Sequence, residues 1–253
     1  MAERLQDKVA IVTGGAHGIG QAIAKRLASE GSKVLVADID LTAAQNTVDD
    51  IRSANGVAEA TAANVSDRAE VDAMCELAVS TWGRLDIQVS NAGITDREPF
   101  LEMTDNLWER VLKTNLYGAF YCGQAAARQM VAQGGGGRIV HVASNSGIFG
   151  GRGRAAYGAS KAGLVNLTQT MAIELAEHDI LVNAVAPGAT KTRVTKGEFP
   201  PDTVMARSPI QRYGLPEEIA AVAAFLASEE CSFTTGHVFC ADGGFTVAGV
   251  MEG

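Results

Sequence analysis

The strongest constraint on the fold is an alternation of short apolar runs with longer amphipathic stretches along the 253 residues of the chain. The runs have the length of strands and are almost wholly apolar, which is typical of parallel strands buried on both faces. Repeated strand–helix–strand units predict an α/β domain in which a parallel sheet of about seven strands carries helices on both faces. The predicted strands are residues 9–12, 33–37, 57–62, 85–90, 139–142, 181–185 and 237–240, and the clearest helices are 20–29, 42–53, 67–82 and 155–177.

Composition excludes several classes of protein. The chain is 47% hydrophobic and 20% charged, as expected of a globular domain with a sizeable core. A net charge of −8 and a pI near 5.0 disfavour binding to nucleic acid or to an anionic membrane. No apolar run approaches the ~18 residues of a membrane span. The length fits a single domain, residues 1–253.

Cysteine and histidine do not form metal-site patterns. The four cysteines and four histidines are scattered, with neither C-x-x-C nor H-E-x-x-H spacing, so we expect no metal site. Dispersed cysteines are typical of free thiols in a reducing compartment. The first residues are charged and lack the apolar segment of a signal peptide. We therefore expect a cytoplasmic protein.

A glycine-rich turn follows the first predicted strand. Gly14, Gly18 and Gly20 are spaced G-x-x-x-G-x-G immediately before a helix. Glycine permits a tight turn, and backbone N–H groups at the positive end of the helix can then approach a pyrophosphate. The pattern predicts a dinucleotide site that includes the intervening His17 and Ile19, although the simpler interpretation of His17 is an ordinary loop residue.

A carboxylate follows the second predicted strand. Asp38 comes 18 positions after Gly20, close to the ~20 expected of a residue that binds the adenosine ribose. A carboxylate there accepts hydrogen bonds from the ribose and repels a 2′-phosphate, which favours NAD over NADP. Ile39, rather than an arginine or lysine, comes next. The alternative is a solvated aspartate in a turn.

Residues suited to acid–base chemistry stand at the start of a later helix. Tyr157 and Lys161 are four positions apart and share one helix face, where an ammonium group favours the phenolate and creates a base usable near neutral pH. Such a pair is common by chance, but further candidate site residues also follow three predicted strands, at the sheet edge where ligands bind. These residues are Asn91, Ala92, Gly93, Ser144, Pro187, Gly188, Thr190 and Thr192.

Taken together, the motifs resemble those of the short-chain dehydrogenase/reductase family, single-domain type, over essentially the whole chain. They are T-G-x-x-x-G-x-G, N-A-G, a serine 13 positions before the tyrosine, Y-x-x-x-K and P-G, in that order. The resemblance implies a Rossmann-type doubly wound sheet, NAD as cofactor and oxidoreductase activity by hydride transfer.

The resemblance also implies roles for individual residues. Tyr157 would be the general acid/base, Lys161 would bind the nicotinamide ribose, and Ser144 would hydrogen-bond the substrate oxygen. Asn115, expected in a helix, would anchor a water that links Lys161 to solvent. Asn64 stands where the family usually has an aspartate facing the adenine. The implied cofactor contacts are Gly14, His17, Gly18, Ile19, Gly20, Asp38, Ile39, Asn64, Val65, Asn91, Ala92, Gly93, Tyr157, Lys161, Pro187, Gly188, Thr190 and Thr192.

Residues 188–212 are predicted to form a substrate lid rich in basic residues. Arg154, with Arg152 or Arg193, is a candidate to pair with a carboxylate, sulfonate or phosphate of the substrate, since guanidinium groups suit such anions. The alternative is a solvated surface or a subunit contact. Ser144, Ser146 and Tyr157 complete the expected substrate contacts; the lid's other basic residues are Lys191, Lys196, Arg207 and Arg212.

The leading hypothesis is an NAD-dependent dehydrogenase that converts a secondary alcohol, such as a sugar or an anionic hydroxy compound, to a ketone or lactone. A 3-oxoacyl-(acyl-carrier-protein) or CoA-type reductase is the alternative, favoured by the basic lid and disfavoured by Asp38. A dinucleotide sensor would not need the complete catalytic set, and no G-x-S-x-G elbow of a serine hydrolase occurs. The resemblance of residues 242–245 implies a homotetramer, with residues 219–226 either in that contact or in the core.

Overall fold

The computed structural model describes residues 4–193, 195 and 201–249. Within them, seven strands form one sheet, and every pair of neighbouring strands is parallel. The strands are β1 (Val9–Thr13), β2 (Lys33–Asp38), β3 (Val57–Ala62), β4 (Ile87–Ser90), β5 (Gly137–Val142), β6 (Ile180–Pro187) and β7 (Val238–Ala241). Their order across the sheet is β3-β2-β1-β4-β5-β6-β7. The order reverses between β1 and β4, so a crevice opens there at the carboxyl ends of the strands.

Helices cover both faces of the sheet. They are α1 (Gly18–Ser29), α2 (Leu41–Ser53), α3 (Arg68–Trp82), α4 (Asp105–Leu112), α5 (Gly118–Gln133), α6 (Ala155–Leu175), α7 (Asp202–Met205) and α8 (Pro216–Ala227). Buried residues of α1, α2 and α8 pack on one face, and those of α3, α5 and α6 pack on the other. Because both faces are covered, the central strands are buried and largely apolar. The predicted fold class and the seven strands are confirmed.

The structure refines several local predictions. Asn115 was expected in a helix, and it lies in a π-helical segment, Lys113–Tyr117, between α4 and α5. The third helix begins at Arg68 rather than Asp67, because the Asp67 carboxylate caps it by accepting hydrogen bonds from the backbone N–H of the next residues. Residues 219–226 lie in α8 and bury Ile219 against the core, which favours the core interpretation.

The predicted lid is described in part. The short helix α7 lies within it, whereas Lys196 lies outside the described residues. In the described ranges no helix is long and apolar enough to cross a bilayer. The same residues bring no three histidine, cysteine, aspartate or glutamate side chains together as a metal site.

Candidate active site

The turn between β1 and α1 has a conformation that favours glycine. Gly14 and Gly18 have φ angles of +63° and +55°, in the left-handed region. A Cβ on Gly20 would collide with the carbonyl oxygen of Gly14. Asn91, just beyond β4, fixes the turn because its Nδ2 donates to the carbonyl oxygens of Thr13 (3.0 Å) and Gly14 (3.1 Å). The result is a glycine-rich cradle at a helix N-terminus, which fits a pyrophosphate.

Asp38 ends β2 beside this cradle. Its Oδ2 accepts a hydrogen bond from the backbone N–H of Ala16 at 3.1 Å, and its Oδ1 accepts one from that of Asp40 at 3.1 Å. Each carboxylate oxygen can accept a further bond, so the group fits the hydroxyls of an adenosine ribose. The neighbouring Ile39 side chain is 76% exposed, so an apolar surface, not a cation, adjoins the carboxylate.

Four other predicted cofactor residues differ in which of their groups are free to contact a cofactor. His17 occupies the N-cap position of α1 but makes no capping bond through its side chain. The Ile19 side chain is partly buried against the core, and the Val65 side chain is buried, so Val65 offers a cofactor mainly its backbone. Asn64 Oδ1 accepts from the N–H (3.1 Å) and hydroxyl (2.7 Å) of Ser66. The oxygen expected to bind the adenine amino group is therefore already engaged.

The predicted contacts after β6 close over the glycine turn. Pro187 ends β6, and Gly188 and Thr190 lead from it toward the lid. The Thr192 methyl group lies 3.3 Å from the position that a Cβ on Gly18 would occupy. The start of the lid thus lies against the end of the site that would hold the phosphates.

Asn115 connects the loop after β4 to α6 through side-chain hydrogen bonds. Its Oδ1 accepts from the backbone N–H of Ile94 at 2.8 Å, and its Nδ2 donates to the carbonyl oxygen of Ile94 (3.0 Å) and to Ser160 Oγ (3.1 Å). A Cβ on Gly93 would lie 3.1 Å from Asn115 Oδ1, so Gly93 allows this close approach. Asn115 is therefore a positioning residue here, and its expected role in holding a water stays a prediction.

The predicted catalytic residues lie at the end of β5 and on the first turns of α6. Ser144 follows β5, and its Oγ accepts from the backbone N–H of Ser146 at 3.1 Å. Tyr157 is 8% exposed, and Lys161 Nζ lies 5.9 Å from the centre of its ring. Lys161 Nζ donates to the carbonyl oxygen of Val142 at 2.7 Å.

Burial changes the chemistry of Lys161. The side chain is 4% exposed, and burial lowers the pKa of its amine to about 8. An ammonium group has three protons, and among the described residues the bond to Val142 uses one of them. The remaining protons are available for a ribose hydroxyl.

The predicted substrate residues divide into two groups. Ser146, Arg152 and Arg154 line a cavity of about 870 Å³ beside the first turns of α6, whereas Ser144 and Tyr157 do not. Arg154 links the two places, because its guanidinium carbon lies 5.1 Å from the centre of the Tyr157 ring. Arg193 is exposed at the start of the lid.

Two arginines, Arg97 and Arg207, lie around the candidate site in positions that the sequence analysis did not predict. Arg97 lies near Arg154, and together with burial it lowers the pKa of that guanidinium. Arg207 lies between the rings of Phe149 (4.3 Å) and Phe245 (5.0 Å), so it connects the lid to the loop after β5 and to the carboxyl-terminal segment. The only signal for Arg97 was its place a few residues after a strand end, and Arg207 was noted only as a basic lid residue.

Comparison with known proteins shows similarity over nearly the full length. A family model described as enoyl-(acyl carrier protein) reductase matches residues 14–246. The chain is 40% identical to a 3-oxoacyl-(acyl-carrier-protein) reductase of Thermotoga maritima, over 96% of this chain and 100% of that protein. It is also 40% identical to a cis-4-hydroxycyclohexanecarboxylate dehydrogenase of Sinomonas cyclohexanicum, over 97% of this chain and 99% of that protein. A solved dehydrogenase/reductase of Sinorhizobium meliloti has a TM-score of 0.92 at 35% identity, over 96% of this chain and 97% of that one.

Proposed function

Because the chain belongs to the short-chain dehydrogenase/reductase family, we propose that it is an NAD-dependent dehydrogenase that interconverts a secondary alcohol and its ketone or lactone. The observation that carries the proposal is the pairing of Tyr157 with the buried Lys161 on one face of α6, at the same end of the sheet as the glycine cradle. Oxidoreductases of this family use a nicotinamide dinucleotide.

The residues of the crevice support binding of that cofactor along its length. Gly14, Gly18 and the N-terminus of α1 would hold the pyrophosphate, Asp38 the adenosine ribose, and Lys161 the nicotinamide ribose. When bound, the nicotinamide ring takes up or delivers the hydride.

The chain's own residues would handle one proton and one developing charge. In the oxidation direction the phenolate oxygen of Tyr157 takes the proton of the alcohol, and in reduction the phenol returns it. The nearby ammonium of Lys161 stabilises the phenolate. The Ser144 hydroxyl donates a hydrogen bond to the substrate oxygen and stabilises the charge that develops there.

The preference for NAD rests on Asp38. Its carboxylate is fixed by two backbone N–H groups beside the cradle, and the exposed residue that follows is Ile39. A negative charge held there would repel the 2′-phosphate of NADP.

A 3-oxoacyl reductase is the second candidate. The relative from Thermotoga maritima and the matching family model both bear acyl-carrier-protein reductase names. The name of the Sinomonas relative instead describes a cyclic secondary alcohol with a carboxylate. Asp38 favours the dehydrogenase, because reductive biosynthesis usually draws on NADPH.

An absorbance assay at the NADH band separates the two candidates. Secondary alcohols, sugars and hydroxy acids are offered with NAD, and acetoacetyl thioesters with NADPH or NADH. Oxidation of an alcohol or sugar with NAD is the expected result. Failure of the whole alcohol panel, together with reduction of the thioesters by NADPH, would reject the proposal in favour of the reductase.

We further propose a cytoplasmic homotetramer. The described cysteines are free thiols, which suits a reducing compartment. Residues 242–245, which carry the resemblance behind this expectation, form a turn in which the Asp242 carboxylate accepts from the N–H groups of Gly244 and Thr246. Light scattering coupled to size-exclusion chromatography measures the subunit number directly.

A further inference from the structure

Arg154 is a cation without an anionic partner at the edge of the candidate active site. Its side chain is partly buried, and its guanidinium carbon lies 5.1 Å from the centre of the Tyr157 ring. Within the described part of the chain no carboxylate lies within ion-pair distance of it. Burial is the main cause that lowers its pKa. Holding an unpaired charge there costs free energy, and an arriving anion would offset that cost.

Arg97 adds a second positive charge at the same place. The loop that carries it is held against the residue before Arg154, because the backbone N–H of Glu98 donates to the carbonyl oxygen of Gly153 at 3.1 Å. Arg97 is the second cause that lowers the pKa of Arg154. A second positive charge nearby disfavours the charged form of a guanidinium, and an anion bound beside both would offset that repulsion.

Nearby carboxylates do not neutralise this pair. Asp96 is bound by Arg110 at 2.7 Å, so its charge is already compensated. Glu98 lines the cavity beside Arg154, but among the described residues no ion pair joins it to either arginine. By contrast, two other partly buried arginines, Arg4 and Arg26, both pair with the Glu30 carboxylate.

We propose that Arg154 and Arg97 form a subsite for an oxyanionic group, a carboxylate or a sulfonate, on the substrate. The inference deepens the proposed function and rests on it, because the bound molecule would be the alcohol itself. Guanidinium groups bind such anions through paired, charge-assisted hydrogen bonds.

The position of the subsite restricts the substrate further. Arg154 contacts the ring of Tyr157, so the bound anion would lie close to the reacting hydroxyl. A compact hydroxy acid meets that requirement. The phosphate of an acyl carrier lies far from the reacting carbonyl and does not.

Binding of small anions tests the subsite without requiring turnover. Cyclohexanecarboxylate, cyclohexanesulfonate and the neutral cyclohexanecarboxamide are titrated by calorimetry into the wild-type protein with NADH present. The expected result is tighter binding of an anion than of the amide. Arg154→Gln should weaken anion binding about ten- to a hundredfold and leave amide binding unchanged, since a hydrogen bond to a charged group contributes ~1.5–3 kcal/mol.

Two further variants keep the test decisive. Arg97→Gln changes an exposed side chain that can be replaced without risk to folding, and it should weaken anion binding in the same sense. Arg128→Gln is the matched control, because Arg128 is exposed on α5, away from the site. Equal affinity for anions and amide, or full anion affinity in both test variants, would overturn the subsite. Retained anion binding without oxidation of any alcohol would instead reject the dehydrogenase proposal and leave the subsite standing.

Discussion

At the scale of single residues, the proposed chemistry depends most on the hydroxyl of Tyr157. The ring itself is structural, because it packs with Val111 and Ala156 in a small buried cluster and contacts Arg154 and Lys161. Phenylalanine keeps that ring and removes only the proton-carrying oxygen. Ring and hydroxyl can therefore be tested separately.

Tyr157→Phe should lower kcat by about two to four orders of magnitude, the usual contribution of general acid–base catalysis. The dinucleotide should still bind, because the glycine cradle, Asp38 and Lys161 are untouched. Steady-state kinetics and fluorescence titration of NADH measure the two effects. Tyr121→Phe, which removes a hydroxyl from a ring stacked under Arg68, is the control and should leave kcat unchanged. Turnover near the wild-type rate in the Tyr157 variant would contradict the mechanism.

A second residue-scale prediction concerns the choice of cofactor. Asp38→Ala removes the carboxylate that would bind the ribose, so the KM for NAD should rise about tenfold and the preference for NAD over NADP should weaken. The change also removes acceptors from two backbone N–H groups, of Ala16 and Asp40. Asp38→Asn separates these effects, since the amide oxygen can still accept one of those bonds without repelling a phosphate. An unchanged ratio of kcat/KM for the two cofactors in both variants would refute the role of Asp38.

Sequence patterns can predict site residues that are marked by local spacing, but they miss contacts that form only in the folded chain. The glycine turn and Asp38 follow strand ends, and Tyr157 and Lys161 stand four positions apart on one predicted helix, so local spacing indicates each of them. Arg97 and Arg154 are 57 positions apart, and only the folded chain brings them together. Likewise, nothing local indicates that Asn64 Oδ1 is engaged by Ser66.

At the scale of elements, strands were predicted better than helices. The central strands are buried on both faces and leave continuous apolar runs, whereas the edge strand β3 is half-exposed and gave a weaker run; all seven were recognised. The stretch that forms α5 is rich in glycine and alanine and carries little amphipathic pattern, so it did not stand out. The π-helical segment before it has no local signal; it brings Asn115 to the backbone of Ile94, a contact that only the assembled fold makes.

Asn115 should therefore stabilise the fold, because it hydrogen-bonds both to the loop after β4 and to α6. Asn115→Ala would leave the part-buried N–H and carbonyl of Ile94 and the buried Ser160 hydroxyl without this partner, at a cost of about 1–3 kcal/mol. Urea unfolding measures the loss. Asn106→Ala, on the exposed side of α4, is the control and should change stability by less than about 0.5 kcal/mol. Equal stability of the two variants would show that the hydrogen bonds of Asn115 do not stabilise the fold.

At the scale of the whole molecule, a sheet covered on both faces gives a polar strand residue no access to solvent. His141 on β5 is fully buried beneath α6. Its Nδ1 lies 2.9 Å from Thr168 Oγ1, and that hydroxyl donates to the carbonyl oxygen of Leu164 at 2.7 Å. Nδ1 must therefore carry the proton, while Nε2 has no partner in the described chain. Burial, with a smaller effect of Lys161, lowers the pKa of His141 to about 3.

This buried imidazole should make the fold sensitive to mild acid. Unfolded, His141 gains a proton below about pH 6.5, whereas in the folded protein it stays neutral until about pH 3. The unfolded state then binds more protons, so stability should fall by about 2 kcal/mol between pH 6.5 and pH 5. Lys161 does not contribute to this slope, because its pKa of about 8 and its unfolded value both lie above the window. Urea unfolding at pH 7 and pH 5 should show a shallower loss in His141→Asn than in the wild type, with exposed His178→Gln as control. Parallel losses in all three proteins would mean that His141 is protonated in the folded state.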